Sequence, residues 1–347
     1  MSKKKKRKFK LIITTAIILI IALIALVCID FYLKVTTPYA GYKNNVTISI
    51  PKGASISWVA RILAREKIIP GYYYFRIYYR MFYHDTDIKS GEYLFDTPMT
   101  MKEIIAKMHE GKIVLHKLTI REGLSIFEVA GLVSSHPSLH IRYSEFIDQC
   151  RSTRLINDLD PKATDLEGYL FPDTYLLRPD VTAKEIVELM VERFKENFSG
   201  IMLSRARELN LTIRQILTLA SLIEKETASR EERFLISSVF HNRIRKGMLL
   251  DCDPTIVYAL KRDNLYRGKL GWDELKYNSP YNTRLFRGLP PGPICSPGLA
   301  SIEAALYPEN TSYFYFVAKN PQSHYFSETL EEHNRAVHKF IINHKKE

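Results

Sequence analysis

A chain of 347 residues with 46% hydrophobic content has room for two modest domains with real cores, which excludes an intrinsically disordered protein. Its net charge of +12 suggests a nucleic-acid binder only until the charges are located. Lys3, Lys4, Lys5, Lys6, Arg7, Lys8 and Lys10 supply seven of them and leave five for the rest of the chain, so no basic groove for nucleic acid is expected.

Leu11 to Ile29 is uncharged and consists mostly of Ile, Leu, Ala and Val. As a helix it is about long enough to cross the roughly 30 Å of bilayer hydrocarbon. The pattern predicts a cytoplasmic basic tail over residues 1–10 and a transmembrane helix within residues 11–33, embedded in membrane lipid. Basic residues before the span and Asp30 at its far end orient it N-terminus in. Everything past about residue 33 is then on the outer face of the cytoplasmic (inner) membrane, periplasmic in a two-membrane cell. A cleaved signal peptide shares the basic start and apolar core. No small-x-small pattern follows, however, the chain continuing Val27, Cys28, Ile29, Asp30, Phe31. Bulky Val27 likewise disfavours lipid attachment at Cys28. The other cysteines, Cys150, Cys252 and Cys295, show no C-x-x-C spacing and leave room for one pair at most, not a disulfide framework.

Beyond the span, the alternation Val46, Ile48, Ile50 predicts a strand, and Ile56, Val59, Ala60 and Leu63 share one face of a following helix. A second helix after Pro70 is rich in aromatics: Tyr72, Tyr73, Tyr74, Phe75, Tyr78, Tyr79. Aromatic faces can stack on sugars, but at helical spacing they more often fill a core, and this close to the span they could also meet the membrane surface. Gly91–Phe95 reads as a strand. Thr100 with Glu103 makes a capping box for a helix that Gly111 ends. These elements form a small α+β domain over residues 34–115.

Residues 112–120 read as a strand. Capping boxes then recur at Ser125/Glu128, Thr182/Glu185, Thr212/Gln215, Ser229/Glu232 and Thr329/Glu332, which makes the second domain, residues 116–347, helix-rich. Tyr313–Val317 and His324–Phe326 suggest a late hairpin, so the class is α+β throughout.

One charge is out of place. In the helix opened by Thr212, Glu224 falls between Ile213, Leu217 and Ala220 on the apolar sector, while Glu226 lies roughly 200° away, which should keep the two acids out of one site. A buried carboxyl group holds its proton to higher pH and can act as a general acid. The plainer alternative is an ion pair with a buried Arg, or a cap on a neighbouring helix. His324, His333 and His338 lack metal-ligand spacing, and no Gly-x-Ser-x-Gly occurs, so neither a metal nor another cofactor is expected.

Further strings sharpen this. Glu167-Gly-Tyr-Leu-Phe-Pro-Asp-Thr-Tyr175, Ala220-Ser-Leu-Ile-Glu-Lys-Glu-Thr227, Asp253-Pro-Thr255, Tyr281-Asn-Thr283, Gly288-Leu-Pro-Pro-Gly-Pro293, Ser296-Pro-Gly298, then Tyr315-Phe-Val317, His324-Tyr-Phe326 and Glu332-His-Asn334 resemble, in order, the strings of the MltG (YceG-like) endolytic transglycosylases. The resemblance implies a LysM-like first domain, a catalytic second domain, and cleavage within nascent peptidoglycan glycan strands, with peptidoglycan synthases as possible partners. It makes Glu224 the catalytic glutamate. It also nominates Glu167, Asp173, Tyr175, Asp253, Thr255, Tyr281, Asn282, Thr283, His324 and Asn334 as substrate-binding residues. Asp251-Cys252 departs from the pattern and leaves any role for Asp251 open.

Other readings of the same strings are structural. Asp253-Pro254 has the form of a helix N-cap with Pro in the first turn, and Gly288–Pro293 that of a stiff loop shaping a rim. With one acid convincingly placed, a lytic transglycosylase fits better than a hydrolase, which usually needs two carboxylates across the scissile bond. The alternatives are a water-using muramidase and a non-catalytic, membrane-tethered wall-binding scaffold.

Overall fold

The computed structural model describes residues 3–342 except Ala228 and Pro321. Residues 1–2 of the expected tail and 343–347 of the expected second domain therefore lie outside the described residues. The chain divides into two compact units, Met1–His116 with Arg178–Asp180, and Lys117–Leu177 with Val181–Glu347. It is mixed α+β, mostly helical, with three two-stranded sheets among the described residues and a long apolar helix at its N-terminal end.

The first unit opens with that helix, α1 (Lys3–Thr36). Arg7–Thr36 is long and apolar enough to cross a membrane, its most apolar 18-residue stretch having a mean hydropathy of 3.2. Its last turns turn inward. Val35 is 4% exposed within the unit's core, and Asp30 accepts a hydrogen bond from the Tyr74 hydroxyl at 2.6 Å. Then come β1 (Val46–Ile50), α2 (Ile56–Arg65), α3 (Tyr72–Phe82), β2 (Gly91–Phe95) and α4 (Met101–Glu110). β1 and β2 pair antiparallel, Val46 opposite Phe95 and Ile50 opposite Gly91. The two-residue period of each strand sends Ile48, Ile50, Tyr93 and Phe95 inward, onto Val59, Ala60 and Leu63 of α2 and Ile104, Ile105 and Met108 of α4. The aromatic helix divides its rings. Phe75 and Tyr79 are core, whereas Tyr73 is 73% exposed. Gly111 closes α4 at φ 74, where a Cβ would strain the backbone.

The second unit contains β3 (His116–Thr119) from Lys117 onward, α5 (Ile126–Ser135), α6 (Tyr143–Cys150), β4 (Thr174–Leu177), α7 (Ala183–Asn197), α8 (Gly200–Glu208), α9 (Ile213–Glu226), α10 (Arg230–Lys246), α11 (Asp253–Arg262), α12 (Leu299–Leu306), β5 (Tyr315–Asn320), β6 (Ser323–Ser327) and α13 (Leu330–Val337). β3 pairs with β4, a strand not expected from sequence, and β5 with β6. Five of the six expected capping boxes close reciprocally. Ser229 makes half of the sixth, accepting from the Glu232 N–H, because the Glu232 carboxylate goes instead to the backbone N–H of His324 at 2.8 Å and lies 2.7 Å from its Nδ1.

α9 is the axis of this unit, packed against α8, α10, α11 and α12. Ile216, Leu217, Leu219, Leu222 and Ile223 are fully buried, and each such side chain contributes about 1.5–3 kcal/mol by leaving water. That burial fixes the helix in register and so fixes where its C-terminal end points.

Candidate active site

α9 starts at the Thr212/Gln215 box and stops at Thr227, whose φ of −144° and ψ of 143° are extended. Its last turn therefore projects Glu224, Lys225 and Glu226 at the point where the helix yields to a cleft of about 720 Å³. The opposite wall comes from the end of β3 and the start of β4, through Thr119, Arg121, Glu122, Asp173 and Thr174. The Ile120 N–H donates to the Asp173 carbonyl at 2.9 Å and holds these two segments together. Because the cleft wraps the helix end, Glu224 and Glu226 both line it. The expectation from the helical wheel that they could not share a site is thus corrected.

Glu224 is 7% exposed at its side chain and ion-paired, Oε1 lying 3.1 Å from Arg233 Nη2. Its Oε2 accepts the Gly298 N–H at 2.9 Å. The same Arg233 Nη2 lies 3.7 Å from Glu122 Oε2, so one guanidinium faces two carboxylates. Burial and the Glu224 charge raise the Glu122 carboxyl above its usual range, with Arg233 opposing. Burial also raises Glu226, whose Oε1 accepts the Cys252 thiol proton at 2.9 Å. Lys225 leans away, donating to the Gly123 carbonyl at 3.2 Å.

The turn carrying Glu122 is set by backbone. Gly123 adopts φ +79°, accessible to glycine at no steric cost. Its N–H donates to the Ser296 carbonyl while the Ser296 N–H donates to the Leu124 carbonyl, both at 2.8 Å. This pairing clips the turn to the loop that ends in Gly298. A Cβ at Gly298 would lie 2.0 Å from Glu122 Oε1, so the missing side chain is what admits Glu122.

Of the substrate-binding residues expected from sequence, Asp173 joins Glu224 in this cleft and is ion-paired with Arg193 at 2.9 Å. The others lie elsewhere. Glu167 is 2% exposed, accepts the Ile126 N–H at 3.2 Å, and is pushed by burial up to about 8. It lines a separate pocket of about 350 Å³ with Tyr281, Arg214 and Arg262, and Pro291, Gly292 and Pro293 shape that pocket's wall. Tyr281 accepts from Arg262 Nη1 at 3.1 Å, and the buried Tyr175 hydroxyl donates to the Phe171 carbonyl at 2.6 Å. Thr255 and Thr283 are buried with their hydroxyls 3.1 Å apart. Asn282 is buried too, its Nδ2 donating to the Leu275 and Tyr277 carbonyls at 3.0 and 2.9 Å. His324 is engaged with Glu232 as above, and Asn334 is exposed on α13. Asp253 is the first residue of α11 and not its cap. Cys252 is the N-cap and makes no side-chain capping bond, while Asp253 pairs with Arg284 at 2.6 Å and Asp251 with the same arginine at 3.1 Å. Cys150, Cys252 and Cys295 are buried free thiols.

Sequence reasoning missed Glu122 and Arg233. Arg233 carried a readable signal, since it shares core spacing on α10 with Ile236 and Phe240, a charge on an apolar face just as Glu224 is. Glu122 had none beyond preceding a glycine between a strand and a capping box. Among the described residues no group of three or more His, Cys, Asp or Glu could hold a metal ion.

The model of the YceG-like family matches residues 48–339. A Bacillus subtilis (strain 168) protein named endolytic murein transglycosylase is 33% identical over 317 residues, covering 86% of this chain and 86% of its own length. A Streptococcus pneumoniae (strain R6) protein of the same name is 30% identical over 332 residues, and there the match covers 86% of this chain but 59% of the relative. The crystal structure of a yceG-like protein from Listeria monocytogenes superimposes with a TM-score of 0.58 at 35% identity, covering 85% of this chain and 99% of that one. A chain matched by the family model along most of its length, with relatives this similar, belongs to the YceG-like family.

Proposed function

We propose that this protein is a membrane-anchored endolytic lytic transglycosylase. It would cut nascent peptidoglycan between N-acetylmuramic acid and N-acetylglucosamine, leave 1,6-anhydro-N-acetylmuramic acid ends, and so terminate strand elongation. The observation that carries this is Glu224, a nearly buried carboxylate at the end of a rigid helix in an open cleft, in a family whose relatives are named for that activity. As acid, Glu224 delivers a proton to the glycosidic oxygen as the bond from C1 breaks. As the resulting base it takes the proton of the same sugar's C6 hydroxyl, whose oxygen closes on C1. Water is not consumed. α1 serves as the anchor, residues 34–115 as the LysM-like part that holds glycan, and the second unit acts on the outer face of the cytoplasmic membrane. Val35 lies in the first unit's core and Asp30 accepts a hydrogen bond from Tyr74, so a cleavage beyond either residue would take structure from that unit.

Glu122 favours a second reading, the water-using muramidase, because it puts another carboxylate in the cleft. Product chemistry separates them. Full-length protein in detergent, given uncrosslinked glycan strands, should yield shorter strands with 1,6-anhydro ends by mass spectrometry. Reducing ends would replace this function with hydrolysis, and no cleavage at all would favour the scaffold.

A further inference from the structure

The resting geometry of Glu224 poses a chemical difficulty. Both of its oxygens accept from strong donors, the Arg233 guanidinium and the Gly298 N–H, and donors of that kind favour the ionised form of a carboxyl group. A general acid must instead begin with its proton on. Something in the cleft has to offset Arg233.

We propose that Glu122 is the positioning partner of Glu224: held against the same guanidinium nitrogen, it sets the protonation state from which Glu224 acts. This rests on the function proposed above. Three features place Glu122 in that role. Its carboxylate is 3.7 Å from Arg233 Nη2, which Glu224 contacts at 3.1 Å. It is admitted beside Glu224 by the absence of a side chain at Gly298, the residue whose N–H binds Glu224. Its turn is clipped to the Gly298 loop by two backbone hydrogen bonds.

One guanidinium can neutralise one carboxylate. When both are ionised the cluster carries a net negative charge, and each carboxylate disfavours the charge on the other. The other charged groups of the cleft act on this pair from each wall: Arg121 from the turn beyond β3, Asp173 beside β4, and Lys225 and Glu226 from α9. Asp173, Lys225 and Glu226 are engaged elsewhere, which leaves Arg121 at the cleft wall, with Arg233 and Glu122 meeting at one guanidinium nitrogen, as the controls on Glu224. During turnover the proton on the pair passes through Glu224 to the departing oxygen, and the C6 hydroxyl proton returns to Glu224. The pair ends with the proton count it began with.

The test is the pH profile of kcat/KM, measured on full-length protein in detergent with uncrosslinked strands. Its alkaline limb reports loss of the acid's proton. Glu122→Gln removes the negative charge and should move that limb to lower pH by about half a unit, as expected for two unit charges that Arg233 Nη2, 3.7 Å from one and 3.1 Å from the other, holds within roughly 7 Å even in a water-like dielectric. Glu122→Asp should return it toward the wild-type position. Gly298→Ala is an independent variant, because Gly298 lies at φ −74°, ψ 165°, which alanine adopts freely, and its methyl group displaces the Glu122 carboxylate. It should shift the limb the same way, and it decides the matter if Glu122→Gln does not fold. An active Glu122→Gln enzyme with the wild-type limb, whatever its turnover, overturns the proposal by itself. A Glu224→Gln enzyme that cuts at the wild-type rate would overturn the function and this inference together.

Discussion

The cleft at the end of α9 and the polar seam beside the start of α11 draw on the same kinds of residue and dispose of them differently. In the seam, Thr255, Asn282 and Thr283 are at most 1% exposed, and their side chains serve the Cys252, Leu275 and Tyr277 backbones. In the cleft, Glu224 and Glu122 converge on one arginine, and Arg233 Nε is buried without a partner among the described residues. Polar atoms satisfied internally must break bonds to greet a substrate, whereas a crowded, incompletely matched cluster is where charge can change during a reaction. Membership of a family-like string therefore does not distinguish a residue that meets substrate from one that holds the backbone behind it.

The largest expected effect lies in the cleft. Glu224→Gln retains the shape and cannot deliver a proton, so turnover should fall by about 10²–10⁴ with the protein still folded by circular dichroism. In the seam the order reverses. Asn282→Ala leaves the Leu275 carbonyl unpaired and takes one of two donors from the Tyr277 carbonyl, which keeps the Ser279 N–H at 3.0 Å; this should cost about 1–3 kcal/mol of stability, read as a lower urea midpoint, with KM little changed. An unchanged midpoint together with a raised KM would move Asn282 out of the seam and into substrate contact.

Glu167 gives a pH-dependent version of the same contrast. Its folded-state pKa is raised from 4.5 to about 8, so above 4.5 the unfolded chain has lost the proton and the folded chain keeps it. The associated stability is full below 4.5 and declines by about 1.4 kcal/mol per pH unit until about 8. Glu167→Gln should remove that slope, and its stability relative to wild type should rise between about pH 5 and about pH 8. Parallel curves would show that Glu167 is ionised in its buried site. The smallest effect is expected at Cys252→Ser, which preserves a donor to Glu226 and should change stability by about 1 kcal/mol or less, with activity largely kept.

Much of the fold was legible because its signals are local. The 3.6-residue period marked α2, α3 and α9, the two-residue period marked β1 and β2, and capping boxes marked six helix starts, five of them closing reciprocally. β4 was not legible, since four residues hold barely two periods of alternation and they sit inside a string that invited a functional interpretation. Glu224 stood out as a charge on an apolar face. Its surroundings did not, because Glu122, Arg233 and Gly298 lie 102, 9 and 74 positions from it in sequence and only long-range packing brings them together. The Ser229 box failed for a similar reason: Glu232 had a better partner in His324, 92 residues away.

α1 is unbroken from Lys3 to Thr36, and by Val35 it already belongs to the first unit's core. A flexible tether would let its cargo explore a radius growing roughly as the square root of its length, while a rod fused at one end into a folded body grants a single standoff. With α1 across the bilayer as proposed, the first unit rides at a set height just above the lipid surface. What that first unit can touch is then chosen by leverage as much as by affinity.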